Sequence, residues 1–204
     1  MNGPIWFEKT CQNILNRFRN HISQIPTHKK INDDNELWAL GRHHGLLTPF
    51  LDWTSSPYIA AFFAFNDVYR RFELSKSIGT QFQNEKVVVW KLNIWDDLFI
   101  HKEFELVKVN SKIGSRINAQ QGLFTVLKTN KFYDIESYLK NRNKAHYLEK
   151  IEIPYEIALE ALNSLGNMGL SIFSLFPDYG GAAEQANIEQ GLIHESYYIN
   201  KLIT

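Results

Sequence analysis

The sequence has little cysteine, no excess of charge and no long apolar run. Cys11 is the only cysteine, which excludes a disulfide within the chain and a zinc site made of several thiolates. Lys plus Arg and Asp plus Glu number 22 each, so the broad positive surface of a nucleic-acid-binding protein is not expected. The densest apolar stretch, Tyr58 to Phe65, is too short to cross a bilayer, and no apolar segment follows a basic start. We therefore expect a cytoplasmic protein without a membrane segment.

Short signatures of nucleotide and metal enzymes are also absent. The sequence has no Walker-type phosphate loop, no dinucleotide glycine fingerprint, no HExxH and no GxSxG. The seven histidines lack metal-ligand spacing apart from His43 and His44, and adjacent histidines cannot easily both face one metal. We expect no metal site, and no resident cofactor is indicated.

The 204 residues are 44% apolar and 14% aromatic, which is enough to bury the core of one domain. Helical and β-branched patterns predict helices over residues 4–25, 33–45, 56–72, 156–165 and 178–190, and strands over 87–92, 106–109, 123–127 and 148–153. Because helices come first and strands follow, we predict an α+β fold. In this fold, N-terminal helices and a buried central helix pack on a mixed or antiparallel sheet. The apolar start of the central helix predicts that Trp53, Phe62, Phe63 and Phe65 are mostly buried.

Titratable and hydroxyl side chains are concentrated between the second and third predicted helices. His43 could transfer a proton near neutral pH, and Asp52 could orient its imidazole. Thr48 and Thr54 place hydroxyls near a helix start, where backbone N–H groups favour an anion such as phosphate. A structural alternative stays open, in which Asp52 and Thr54 cap the third helix and His43 is a buried histidine with its hydrogen bonds satisfied.

Two later stretches add candidate residues. Arg116 and Gln120 share a face if the segment between them is helical, and a guanidinium beside an amide can bind a phosphate or a carboxylate. Gly122 would then let the chain turn into the following strand. Pro177-Asp178, followed by two glycines, predicts a turn into a helix. The alternatives are an Arg116 paired with a surface acid and a purely structural turn.

Together, these stretches resemble the FRG domain, a family found in bacterial proteins. The family pattern has Gln or Arg before His, then Gly-Leu and Thr, Leu-Asp-Trp-Thr, Pro and an Ala-rich aromatic helix. Later it has Arg, Ala-Gln, Gly and Phe, and finally Phe-Pro-Asp. The matching residues here are Arg42-His43-His44-Gly45-Leu46-Leu47-Thr48, Leu51-Asp52-Trp53-Thr54, Pro57, Ala60-Ala61-Phe62-Phe63-Ala64, Arg116, Ala119-Gln120, Gly122, Phe124 and Phe176-Pro177-Asp178. The resemblance covers about residues 8–185 and implies a single FRG-like domain over residues 1–204.

The sequence departs from the family pattern in two places. Leu47 and Pro49 flank Thr48, where the family commonly has Pro and Arg. No Phe-Arg-Gly triplet occurs, although the family is named after one that precedes its first helix, and Phe18-Arg19-Asn20 lies inside a predicted helix. Either this member lacks the first strand of the family or the sequence begins after it.

The resemblance implies a layout similar to ADP-ribosyltransferases, with NAD as the substrate, and a context of bacterial defence or toxins. His43 or Thr54 would then bind the nicotinamide ribose, Arg116 the pyrophosphate, and Gln120 would orient the acceptor. Gln120 cannot supply the negative charge that such sites usually take from a glutamate. The expected catalytic residues are His43, Asp52 and Gln120, and the expected ligand-binding residues are Thr48, Thr54 and Arg116.

Two other functions stay open. The chain could be a non-enzymatic module that binds a nucleotide-like small molecule or a protein partner in a phage-response system, which the missing Phe-Arg-Gly strand favours. The other is a nuclease acting through His43 and Asp52, although the sequence shows no basic groove for nucleic acid. For any of these sites, we expect His43 and Asp52 to share a pocket with Thr54, and Arg116 and Gln120 to reach the same pocket.

Overall fold

The computed structural model describes residues 4–26, 30–78, 86–94, 103–109, 115–128 and 134–189. The α-helices are α1 (Pro4–Ile22), α2 (Asp34–His43), α3 (Pro57–Ile78), α4 (Ser115–Ala119), α5 (Ile135–Lys140), α6 (Ala158–Asn167), α7 (Ile172–Leu175) and α8 (Tyr179–Glu189). The strands are β1 (Phe50–Thr54), β2 (Lys86–Leu92), β3 (Phe104–Val107), β4 (Gly122–Leu127) and β5 (Leu148–Pro154). Short 3₁₀ turns precede and follow β5.

The chain packs as two compact units that each combine segments from distant parts of the sequence. Unit 1 contains the described residues of Met1–Trp53, Leu92–Ile117 and Gly122–Glu149, and unit 2 contains those of Thr54–Lys91, Asn118–Gln121 and Lys150–Thr204. Because these segments alternate along the chain, no single point in the sequence separates the units. The single domain over residues 1–204 stays a prediction.

Unit 1 is organised around a three-stranded sheet with the strand order β1-β4-β3. Strands β3 and β4 are antiparallel, with Phe104 opposite Leu127 and Val107 opposite Phe124. The main core joins helices α1 and α2 to this sheet through Leu15, Ile22, Leu37, Trp38, Ala39, Phe50, Val107, Phe124 and Val126. A second buried cluster consists of Phe104, Tyr138, Leu139 and Tyr147.

Capping residues determine both ends of α2. The Oδ1 atom of Asp33 accepts a hydrogen bond at 2.8 Å from a backbone amide of the first turn, as an N-cap aspartate does. After the last turn, Gly45 has a φ of +85°. The amides of Gly45 and Leu46 donate to the carbonyls of Arg42 and Gly41 at 3.0 and 2.8 Å, which is the Schellman pattern. The predicted start of this helix and its stop at glycine are confirmed.

Unit 2 has its core between α3, α6 and the neighbouring short elements. Ser56 Oγ accepts from a backbone amide of α3 at 3.3 Å, and Pro57 is the first residue of that helix, which confirms the predicted N-cap and N1 pair. The core residues are Ile59, Phe62, Phe65, Val87, Ala158, Leu165, Ile172 and Leu175. Phe63 is only half-buried, because an α-helix turns one side of an apolar segment away from the core. Trp53 is also only half-buried, but it lies on β1 and not on this helix.

The α+β class is confirmed, but several local features differ from the predictions. Helix α3 extends to Ile78, α7 was not predicted, and β3 lies at Phe104–Val107. Helix α5 was not predicted, and it begins where Asp134 accepts from the amide of Ser137 at 2.6 Å. Helix α6 continues past Gly166 and stops before Gly169, which has a φ of +85°. In the turn into β4, the positive φ of +47° belongs to Gln121. Gly122 instead allows a close approach, since a Cβ there would lie 3.3 Å from the Ile117 carbonyl oxygen. The likeness to ADP-ribosyltransferases stays a prediction.

Among the described residues, no helix has both the length and the apolar composition that a bilayer crossing requires.

Two lysines contact one carboxylate on the two-stranded sheet formed by β2 and β5. The Nζ atoms of Lys150 and Lys86 each lie 2.6 Å from an oxygen of Glu152. Their hydrogen bonds, with Lys150 contributing most, lower the pKa of Glu152 from 4.5 to about 2. Because this pKa is lower in the folded protein, the pairing stabilises the fold above about pH 4.5, and the contribution is lost as the pH falls towards 2.

We therefore expect the Glu152 carboxyl to titrate near pH 2 when it is followed by NMR. The difference in melting temperature between the parent and Glu152→Gln should be present at neutral pH and should shrink between pH 4.5 and 2. The control is Glu156→Gln, which changes another exposed glutamate of unit 2. A Glu152 midpoint near pH 4.5 would contradict the pairing.

Candidate functional site

A group of polar contacts in unit 1 joins the end of α2 to β1. The Schellman turn leads the chain from Arg42 into β1, and Asp52 lies on that strand. The Nε atom of Arg42 lies 2.7 Å from Oδ1 and 2.9 Å from Oδ2 of Asp52, and Nη2 donates to Oδ2 as well. Two donors of one guanidinium therefore bind both oxygens of one carboxylate, a geometry that fixes the guanidinium plane.

Thr48 lies beside this pair and leaves it partly accessible to solvent. Its Oγ1 is 3.5 Å from Nη1 of Arg42, which is long for a hydrogen bond. The side chains of Arg42 and Asp52 are 36% and 57% exposed. The hydrogen bond to Asp52 raises the pKa of Arg42, although partial burial acts in the opposite direction. Arg42 is thus a permanently charged and firmly oriented donor at the surface of unit 1.

The sequence suggested that Asp52 could orient His43 or accept from a backbone N–H, and the structure shows Asp52 bound to Arg42. The His43 ring packs edge-on against the His44 ring, with 4.7 Å between the centroids. The available signal was the position of Arg42 directly before His43 in the same stretch. A planar guanidinium also suits a carboxylate better than an imidazole does. A catalytic role for His43 stays a prediction.

The tryptophan of the Leu-Asp-Trp-Thr segment has a structural contact within unit 1. The indole Nε1 of Trp53 donates to Oγ1 of Thr125 at 2.9 Å. Thr125 is 2% exposed and lies on β4 among apolar neighbours. Because a buried hydroxyl without a partner is costly, this pair accounts for a tryptophan at position 53.

The threonine of the same segment takes part in a cluster within unit 2. The hydroxyl of Thr54 donates to the carbonyl oxygen of Gln120 at 2.7 Å and accepts from the amide of Ser56 at 3.1 Å. The side-chain amide of Gln120 donates to the carbonyl oxygen of Leu175 at 3.0 Å. These bonds connect all three stretches that carry the family resemblance, since Leu175 directly precedes Phe176-Pro177-Asp178.

The last of these stretches has two further features that explain its sequence. Asp178 Oδ1 accepts from the amide of Gly181 at 3.1 Å, which confirms the predicted turn into a helix with Asp178 near its start. A Cβ on Gly181 would overlap the backbone carbonyl oxygen of Phe176. Glycine at position 181 is therefore required by packing.

The six predicted site residues are distributed over the two units. Unit 1 contains His43, Thr48, Asp52 and the half-buried Arg116, and unit 2 contains Thr54 and Gln120. Of these, the structure connects Thr48 and Asp52 through Arg42, and Thr54 with Gln120. The pocket common to all six stays a prediction. No group of three or more potential metal ligands occurs in the described parts of the chain.

The comparison with known proteins matches the part of the chain that contains the first of the three stretches resembling the FRG domain. The family model of the FRG domain matches residues 1–72, which include Arg42, the Leu-Asp-Trp-Thr segment and the start of α3. No curated protein matches the chain, and no solved structure matches it. The family match confirms, over residues 1–72, the resemblance to the FRG domain that the motifs indicated.

Proposed function

We propose that this chain is a nucleotide-handling domain of ADP-ribosyltransferase-like type, with NAD or a related nucleotide as its ligand. The observation that supports this proposal is the group formed by Arg42, Thr48 and Asp52, in which an oriented guanidinium and a hydroxyl are partly exposed side by side. Such donors suit the anionic and hydroxyl groups of a nucleotide. A cytoplasmic role in bacterial defence or in a toxin system is part of the same proposal.

The most direct test is to incubate the purified protein with NAD and to follow nicotinamide release by chromatography. Release would support an NAD-cleaving enzyme or a transferase. Binding of NAD or ADP-ribose in a calorimeter without release would support a binding domain. If neither ligand binds and none is consumed, the proposed function is wrong.

The predicted site residues of unit 1 allow a sharper test. We expect His43→Ala and Arg116→Ala each to abolish NAD or ADP-ribose binding measured by calorimetry, while the melting temperature changes by only a few degrees. The reason is that both side chains are half-buried rather than core residues, so that their removal leaves no large cavity. If Arg116→Ala unfolds the protein, or binds the ligand as the parent does, Arg116 is a structural residue.

A non-enzymatic module is the second candidate, and the contacts of unit 2 favour it. The hydroxyl of Thr54 and the side-chain amide of Gln120 both donate to backbone carbonyls, so these donors already contribute to the fold. A glutamine also cannot stabilise an oxocarbenium-like centre by negative charge. Under this alternative, the domain binds a nucleotide or a protein partner in a phage-response system. The discriminating result is ligand binding without nicotinamide release.

A further inference from the structure

The guanidinium of Arg42 has two edges that can each bind an oxyanion. One edge presents Nε–H and one N–H of Nη2, and the other presents the outer N–H groups of Nη1 and Nη2. Asp52 contacts Nε and Nη2, so it occupies the first edge. Among the described residues, the remaining contact of the guanidinium is the long one of 3.5 Å from Nη1 to Thr48. The outer edge of Arg42 is thus a fixed pair of donors with a hydroxyl beside it.

A second arginine in unit 1 provides a comparison. Arg19 is also paired with an aspartate, and its side chain is 36% exposed, as is that of Arg42. There, however, Nη2 donates to Asp34 and Nη1 donates to the carbonyl oxygen of Ile31 at 2.8 Å. Both Nη atoms of Arg19 therefore donate to the fold, whereas Asp52 contacts Arg42 through its Nε and Nη2 atoms.

We infer that Arg42 binds a phosphate or pyrophosphate group of the ligand through this outer edge, with Thr48 as a second donor. This inference rests on the proposed function and deepens it, since it selects phosphorylated nucleotides over nucleosides. Asp52 is a positioning residue, because it fixes the plane in which Arg42 presents its donors. The attraction of the guanidinium at hydrogen-bond distance exceeds the repulsion from Asp52, since that carboxylate lies on the opposite edge and is screened by solvent.

The test is calorimetry of the full chain with ADP-ribose, inorganic pyrophosphate and adenosine as probes. In Arg42→Gln, we expect the affinity for ADP-ribose and for pyrophosphate to fall about 10-fold or more, because charge-assisted hydrogen bonds are lost. Arg42→Lys keeps the charge but not the planar edge, and it should lose most of the same affinity. Arg19→Gln is the matched control and should bind both probes as the parent does. Adenosine should bind weakly to every variant. The melting temperatures should change by only a few degrees, because Arg42 and Asp52 are partly exposed to solvent.

The outcomes separate this inference from the proposed function. If ADP-ribose binds the parent and Arg42→Gln equally well, or if adenosine binds as tightly as ADP-ribose, the phosphate role of Arg42 is wrong while nucleotide binding stands. If pyrophosphate binding depends on Arg42 but no nucleotide binds, the anion site stands and the proposed function is wrong. If no probe binds the folded parent, both are wrong. If Arg42→Gln does not fold, Arg42→Lys decides, and full affinity in that variant overturns the inference.

Discussion

Phe62→Ala is expected to lower the free energy of unfolding by about 3–5 kcal/mol. Phe62 is 5% exposed and belongs to the core of unit 2. Its removal takes away the transfer free energy of a whole ring and leaves a cavity that the surrounding helices can fill only in part. The measurement is urea denaturation followed by circular dichroism, with the midpoint and the slope determined for the parent and the variant.

Phe173→Ala is the control for this prediction. Phe173 lies on α7 in the same unit, but it is 49% exposed, so that its loss should cost less than about 1 kcal/mol. The chemistry of the two substitutions is identical, and only burial differs. Equal losses from Phe62→Ala and Phe173→Ala would contradict the assignment of the core in unit 2.

Gly181→Ala is the second substitution with a large expected effect. Its new Cβ would overlap the backbone oxygen of Phe176, and a backbone atom cannot move aside as a flexible side chain can. The start of α8 must therefore shift, which also strains the hydrogen bond from the Gly181 amide to Asp178. We expect a loss of about 1–3 kcal/mol in the free energy of unfolding, as for other overpacked sites.

Gly166→Ala should instead raise the free energy of unfolding. Gly166 lies inside α6, and a Cβ there would meet no atom within 4 Å. Alanine is favoured over glycine in a helix by about 0.5–1 kcal/mol, so this variant should be slightly more stable than the parent. Denaturation midpoints of the two variants would test the pair together. A Gly181→Ala protein as stable as Gly166→Ala would show that Phe176 and α8 are not in close contact.

Signals within a few residues were sufficient to predict several elements of the fold. Asp33 and Ser56 lie at helix starts because their side chains accept from amides only three residues later, and a pattern of this length is visible in a sequence. Helix α5 escaped prediction because it has only six residues, and its burial depends on Tyr138 and Leu139 packing with β3. The helix predicted over residues 156–165 ended too early, because α6 continues to Asn167. The bond from the Leu170 amide to the Leu165 carbonyl at 3.0 Å, which closes the helix end, lies beyond the predicted boundary.

The candidate site was predicted less completely because its contacts depend on folding over longer distances. Thr48 and Asp52 were identified as polar groups, but the partner of Asp52 depends on how the Schellman turn aims Arg42 towards β1. The structural use of Gln120 could not be inferred from its neighbours, because its acceptor is the backbone of Leu175, 55 residues away. Residue type alone does not tell which side chains the fold uses and which it leaves to a ligand.

The hydrogen bonds that connect Thr54, Gln120 and Leu175 also constrain the order of events when unit 2 folds. Thr54 and Gln120 are separated by 66 residues, and Gln120 and Leu175 by 55. Closing loops of this size costs chain entropy before any contact repays it, so a topology with such distant partners folds slowly. During synthesis, α3 leaves the ribosome long before α6 and Leu175 do. Its apolar surface therefore stays exposed until these partners are synthesised, which makes unit 2 dependent on protection from aggregation in a nascent chain.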